Sequence, residues 1–466
     1  MHTVKSGFIG LLALLVSACQ SNNSLQLPDK FAQFEQSSRA AVQQRLGDAL
    51  QLPPQLPMPA IATPDALTLD SIIDAQQLAL QHSPRVAAIL LELGIHEAES
   101  VQKTLLENPG VELAMMRPES GGRWELEVSL SLGLVDWLSR HTRQALSEAE
   151  RSVWQMQAWQ QLDRALTDVR NQWLSTIAAR QKLTSHRELF ESANVAADFA
   201  QLLFDAGNIS ELELLGAQSI AAQRRAQHIA ATLDADQQTR QLLLVLGMTH
   251  VPTLSLPDQL PEIAFKQFES IEHQTATLLA LAKQHQPALL LLDQELQKHQ
   301  DELALALHQI RLRQSGIALV TERKSHGERQ HGFALSMAPP VFDNGDTELS
   351  ALHGRLQHTI NQQTLLTEQI QSHIHSTLLN IKSNAQQIDL ITQDELPRFQ
   401  RMMALSVQEY NFMLRGTFEL LTVADRLLDA EMRQIDASEQ YWRAWSTLES
   451  LVGTQLSSLI QESQHD

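Results

Sequence analysis

Four landmarks in this chain recur at nearly one spacing, and that recurrence constrains the fold more than any single motif. Pro84 in LALQHSP returns as Pro287 in LAKQHQP, and Asp136 in LVD returns as Asp343 in VFD. Phe204, Glu213, Leu214 and Leu215 return as Tyr410, Glu419, Leu420 and Leu421, and Gly247 in VLG returns as Gly453 in LVG. The offsets are 203, 207, 206 and 206 residues. A duplication held in step over so long a stretch means that whatever one half builds, the other half builds again.

Each half is predicted to run helix, hairpin, very long helix, turn, helix. In the first, Ser83-Pro84 suits a helix start, and the helix runs to about Glu107, where Asn108-Pro109-Gly110 stops it. Val111–Arg117 reads as a strand and Pro118–Gly122 as a turn. In the returning strand, Arg123–Leu134, apolar Trp124, Leu126, Val128, Leu130, Leu132 and Leu134 alternate with Glu125, Glu127, Ser129, Ser131 and Gly133. A period of two puts each set on its own face. Asp136 is expected to cap the long helix. From Trp137 to Ala206 there is neither Gly nor Pro, so one helix on the order of 100 Å long is expected, ended by Gly207. Ser210-Glu211-Leu212-Glu213 reads as a capping box opening a return helix to Gly247.

The second half varies the same plan. Gly316–Arg323 should pair with Gln330–Ala338 across KSHGE, and Pro339-Pro340 ends the strand. The long helix carries Gly345 and Gly354 early and should kink near Pro397. It turns at Arg415-Gly416, and the last helix runs from Thr417 to about Val452.

These readings divide the chain into a lipoprotein signal peptide at 1–18, and a lipidated arm with a Pro-rich linker at 19–66. Repeat 1 spans 67–247, with its hairpin at 111–134 and its tip turn at 206–210. An extended link covers 248–267, and repeat 2 spans 268–453, with its hairpin at 316–338 and its tip turn at 414–417. A tail covers 454–466. The first boundary rests on an apolar run, Phe8–Val16, ended by Val16-Ser17-Ala18-Cys19. VSAC resembles the bacterial lipobox, so Cys19, the single cysteine, is the expected lipidation site. Within the arm a short amphipathic helix is expected from about Asp29 to Leu50.

Composition narrows the function. A formal charge of −19 leaves nothing to neutralise phosphates along a groove, so nucleic acid is not expected as a partner. No second cysteine remains for a disulfide or for nucleophilic work, and no Ser, His and acidic constellation stands out, so an enzyme is not expected. No cofactor and no metal site is expected either. His373 and His375, two apart on a helix, point to different sides. Met115, Met116, Met402, Met403 and Met413 could suggest soft-metal passage, but packing is the simpler reading.

The strands, at about 8 to 11 residues, have the length that crosses a bilayer at a tilt. Four strands cannot close a barrel, and open edges are not tolerated in lipid, so membrane-spanning hairpins would require several chains. With these features the chain resembles the TolC-type outer-membrane efflux proteins. The resemblance covers roughly residues 67 to 455 and rests on the lipobox, the duplicated plan, the junctions LVDWLSR and PPVFDNG, and the turns FDAGNISELELLGAQ and YNFMLRGTFELLTVAD. It is nearest to the lipoprotein branch serving RND-type pumps, heavy-metal exporters included.

The resemblance implies a mainly α fold with two β-hairpins, in which a homotrimer shares a twelve-stranded β-barrel continued by a long α-helical barrel. It implies an exit duct docked to a periplasmic adaptor (membrane fusion) protein and an inner-membrane pump, anchored in the outer membrane and reaching into the periplasm. It implies gate residues at Tyr410, Arg415, Glu419 and Glu213, with Arg415 pairing to Glu213 or Glu419. Where the family has a further acidic residue this chain has Thr422. Adaptor contacts are expected at Ile209, Leu212, Leu414 and Phe418, and lipid contacts at Trp124, Leu126, Val128, Leu130 and Leu132. A type I protein-secretion duct, or a coiled-coil periplasmic lipoprotein that forms no channel, are the alternatives.

Overall fold

The computed structural model describes residues 27–46, 50–53, 66–119, 121, 123–248, 253–263, 274–310, 315–336, 342–412, 414, 416–454 and 456. Helix α1 (Leu27–Leu46) belongs to the arm. It starts two residues before the expected Asp29 and stops four before Leu50. Val42 and Leu50 are buried against Leu80, Val86, Leu90 and Leu162. Gln43 holds the chain's return, donating from Nε2 to the Leu50 carbonyl at 2.9 Å and accepting from Leu52 N–H at 2.7 Å.

Strand β1 (Ala66–Thr68) pairs in parallel with β4 (Thr253–Ser255). Strand β4 falls in the stretch expected to be extended link alone, and β1 straddles the expected boundary between the Pro-rich linker and repeat 1. Each strand is three residues long, below what alternation can reveal. The pairing ties the start of repeat 1 to the link that leaves it.

Repeat 1 continues with α2 (Ile72–His82), opened by a complete capping box between Ser71 and Asp74, and α3 (Pro84–Thr104) with Pro84 in its first turn. Strands β2 (Gly110–Met116) and β3 (Glu125–Gly133) come next. The junction to the long helix differs from expectation. A single turn, α4 (Leu134–Leu138), comes first and breaks at Ser139, whose hydroxyl donates to the Val135 carbonyl at 2.7 Å. The long helix α5 is Arg140–Asp205, so Asp136 sits within α4 and does not cap α5.

Gly207, at φ +73°, ends α5. Its N–H donates to Phe204 O and the Asn208 N–H to Leu203 O, both at 2.8 Å. This doubled closure satisfies carbonyls that the helix end would leave bare. Helix α6 (Glu211–Leu246) then returns. Trp173, Leu174, Ile177, Leu242 and Leu246 form the core between α5 and α6, with Leu69 and Ala79 from the segment before α3.

Repeat 2 gives α7 (Thr275–His285), α8 (Pro287–Gln309), β5 (Gly316–Arg323), β6 (Arg329–Ser336) and α9 (Asp346–Leu390). Residues 391–395 widen into a π-helical turn, after which α10 (Leu396–Asn411) continues. The expected disturbance near Pro397 is therefore this π turn. Proline has no N–H to donate and its ring crowds the carbonyl four residues back, here Gln393, and the wider winding relieves that clash. Helix α11 (Thr417–Val452) closes the repeat. Ile374, Ile381, Tyr441, Leu448 and Val452 form its core, the counterpart of the α5–α6 core.

Candidate functional sites in the sheet and at the helical tips

The four longer strands form one antiparallel sheet in the order β2-β3-β5-β6. The two hairpins thus join at β3 and β5, with Leu130 opposite Leu319 and Ser131 opposite Ala318. Strands β2 and β6 are the edges, with no further strand paired to them among the described residues. Directly opposed residues share a face, so the register sorts every side chain. One face carries Val111, Leu113, Met115, Leu126, Val128, Leu130, Leu132, Ile317, Leu319, Phe333 and Leu335. Within the chain little covers this face: Leu132 is 56% exposed and Phe333 82%. The other face carries Glu112, Glu125, Glu127, Glu322 and Gln330 with small Ser, Ala and Gly residues, and with Met116 and Val320 as its larger apolar members.

Trp124 lies one residue before β3 and stands 56% exposed at the loop end of the apolar face, with the Arg117 guanidinium 5.9 Å from its ring centroid. Leu126 and Val128 are half-buried, and Leu130 and Leu132 are exposed. All five residues expected to meet lipid therefore lie on one face. On the opposite face, Glu125 is pinned at the hairpin loop, its carboxylate accepting from Ser325 N–H at 3.2 Å. Met115 and Met116 point to opposite sides of β2 and form no pair. Among the described residues no helix is long and apolar enough to cross a membrane, and no group of three or more His, Cys, Asp or Glu residues could hold a metal ion.

The tips lie where α5 turns into α6 and α10 into α11. Glu213 is fully engaged in its own helix start. Its Oε2 accepts from Ser210 N–H at 2.8 Å and from Ser210 Oγ at 2.9 Å, while Ser210 Oγ accepts from Glu213 N–H at 3.3 Å. These backbone and hydroxyl donors hold the carboxyl below the usual range. Ile209 is partly buried on Ala200, Leu214 and Ala217, so it packs inside its own hairpin. Leu212 and Leu414, in contrast, are 80% and 78% exposed. Tyr410 is half-buried near the end of α10, and Glu419 is exposed in the first turn of α11. Phe418 occupies that same turn. Arg415, Met413 and Cys19 lie outside the described residues.

Above the tips, ion pairs that sequence spacing could not reveal join the repeats. Arg224 on α6 meets Asp425 on α11 at 2.6 Å, Lys182 on α5 meets Asp436 at 2.5 Å, and Arg170 pairs with Glu449. Each partner lies more than 200 residues from the other.

Both the first repeat and the fold as a whole have known counterparts. Residues 76–248 match the family model described as outer membrane efflux protein. No curated protein matches the sequence as a relative. Among solved structures, the fold is similar to the CmeC outer membrane channel of Campylobacter jejuni, at 13% identity and a TM-score of 0.67, over 84% of this chain and 88% of that one. It is similar to the outer membrane protein VceC of Vibrio cholerae, at 13% identity and a TM-score of 0.65, over 83% and 96%. The open state of the MtrE outer membrane channel of Neisseria gonorrhoeae matches at 14% identity and a TM-score of 0.58, over 87% and 98%. The first repeat thus matches the outer membrane efflux protein family model, and the fold across both repeats is that of solved outer membrane channels.

Proposed function

We propose that three copies of this chain close a twelve-stranded barrel in the outer membrane and continue it as a helical duct into the periplasm, the exit of a tripartite efflux system. One observation carries the reading: an open antiparallel sheet with an exposed apolar face and a polar face has, among the described residues, no further strand on either edge. In lipid each unsatisfied backbone group costs several kcal/mol, so the edges must meet strands of other copies. Because the strands alternate in direction, β6 of one copy runs antiparallel to β2 of the next, and three copies give an even-numbered barrel. The apolar face then meets lipid, and Glu112, Glu125, Glu127 and Glu322 line water.

The duct performs no chemistry. Its opening is a population shift at the tips, in which an adaptor favours the splayed state and an inner-membrane pump of RND type supplies the energy. Exposed Leu212 and Leu414 fit an adaptor that brings apolar side chains of its own, with Ile209 and Phe418 beside them. Arg415 with Glu213 or Glu419 forms the closing link, and Tyr410 is a further residue of the gate. Cys19 carries the lipid that anchors the arm at the inner leaflet.

The test is conductance across a planar bilayer, together with crosslinking between cysteines placed at Glu112 on β2 and Gly332 on β6. Trimeric crosslinked species and a channel whose conductance rises in Arg415→Ala are expected. Monomers that never insert would overturn the duct, and an unchanged Arg415→Ala conductance would overturn the gate.

A further inference from the structure

The charges on the sheet are segregated. Every carboxylate in the four strands lies on the polar face, and every arginine in them lies on the apolar face, at the loop end. Arg323 on β5 stands directly opposite Arg329 on β6 in the last rung of the second hairpin. Two rungs further down, on the same face, His331 lies opposite Thr321, with Nδ1 and Oγ1 3.2 Å apart. On the first hairpin Arg117 lies against Trp124.

Like charges directly opposite across a ladder repel. Among the described residues, neither Arg323 nor Arg329 has a carboxylate within ion-pair distance. The inward pair Glu127 and Glu322 carries the same conflict, but it faces the water that fills the duct, where the repulsion is screened. The arginine pair faces outward at the rim of an apolar band, where water thins and a fixed anion gains most. The belt crosses four strands, about 14 Å at the usual strand spacing. Guanidinium groups bind phosphate oxygens two at a time, and Trp beside them is suited to headgroup depth.

We infer that this outward belt of Arg117, Arg323, Arg329 and His331, with Trp124, is a binding site for the phosphate groups of an outer-leaflet lipid headgroup. The inference rests on the barrel reading above, since only that reading puts the hairpin loops at the outer surface. The phosphate cancels the Arg323–Arg329 repulsion, the acyl chains continue down the apolar band through Phe333 and Leu335, and the lipid clamps the hairpin joint.

The experiment uses the full-length channel purified in detergent and stripped of lipid. A diphosphorylated diglucosamine lipid, the same lipid without phosphates, phosphatidylcholine and inorganic phosphate are added separately, and bound lipid is counted by native mass spectrometry. Wild type should retain the phosphorylated lipid, and the Arg323→Gln/Arg329→Gln double variant should bind it at least about tenfold more weakly, one charge-assisted contact or more. Equal retention of the dephosphorylated lipid, or unchanged binding by the double variant, would overturn the site. Displacement by millimolar inorganic phosphate would reassign it to a free anion and so overturn the lipid. Bilayer conductance of both proteins separates the readings: a wild type that never inserts condemns the barrel itself, whereas two conducting proteins with equal lipid retention condemn only the site.

Discussion

Gly247 rests on the carbonyl of His82, so close that an added Cβ would lie 2.2 Å from that oxygen. Gly453 repeats the contact on His285, at 2.4 Å. Each glycine ends a return helix at positive φ, +80° and +79°, and each receives the joint between two short helices of its own repeat. Gly207 has a similar φ, +73°, but open space around it. Alanine at Gly207 should therefore cost only the left-handed backbone penalty, about 1–2 kcal/mol. At Gly247 or Gly453 it must also displace backbone, and the loss should exceed about 3 kcal/mol. Thermal unfolding followed by helical circular dichroism ranks the three variants; equal midpoints would sink the close-contact account.

Those two glycines are legible as repeat landmarks because a left-handed helix end must be written in sequence. The Ser210–Glu213 capping box and the alternation of β3 are legible for the same reason: each is dictated by residues within a few positions. The start of α5 is not, since a one-turn helix broken at Ser139 leaves no periodic trace and Asp136 offers a plausible cap. The β1–β4 pairing is hidden because three-residue strands carry no pattern. At Pro397 the sequence points to a disturbance but not to its form. The Arg323–Arg329 pairing needs the register, and the seam between repeats needs the fold, since no local rule joins Arg224 to Asp425.

That seam makes a quantitative prediction. Arg224 is 11% exposed and its partner Asp425 29%, so neither charge has water enough to replace the other. Asp425→Asn should cost about 2 kcal/mol or more, most of it from stranding the guanidinium. An Arg224→Leu/Asp425→Leu pair should recover much of that loss, because the desolvation cost disappears with both charges. A double-mutant cycle measures the coupling. Simple additivity of the two single losses would show that the contact does not hold the repeats together.

Asp163 on α5 predicts how stability depends on pH. Burial pushes its carboxyl up to about 6, against the partial opposing effect of Arg170 and Arg164. Between the usual carboxylate range and about 6 the folded chain holds a proton that the unfolded chain has released. Stability from this group therefore falls as pH rises through that window, and the ionised form burdens the fold above it. Asp163→Asn should raise the unfolding midpoint at pH 8 and lose most of that advantage by pH 4.5. A constant offset at both pH values would mean that the gain comes from something other than ionisation.

Glu213 has two candidate roles, a helix cap and a gate contact, and they separate cleanly by experiment. The structure already commits its carboxylate to Ser210, through the backbone N–H and the hydroxyl. Its pKa is held down by those donors, so the contribution is present above the ordinary carboxylate range and is lost as pH falls through the lowered folded value. Ser210→Ala and Glu213→Ala should each speed amide hydrogen exchange over residues 210–214, and the double variant should do little more than either, because the box acts as a unit. Acidification of wild type should mimic them. If Glu213→Ala changed bilayer conductance while exchange at 210–214 stayed as in wild type, the cap would be incidental and the gate would be its role. If exchange rises and conductance holds, the closing link at the tip belongs to the other helical hairpin, around Tyr410 and Glu419.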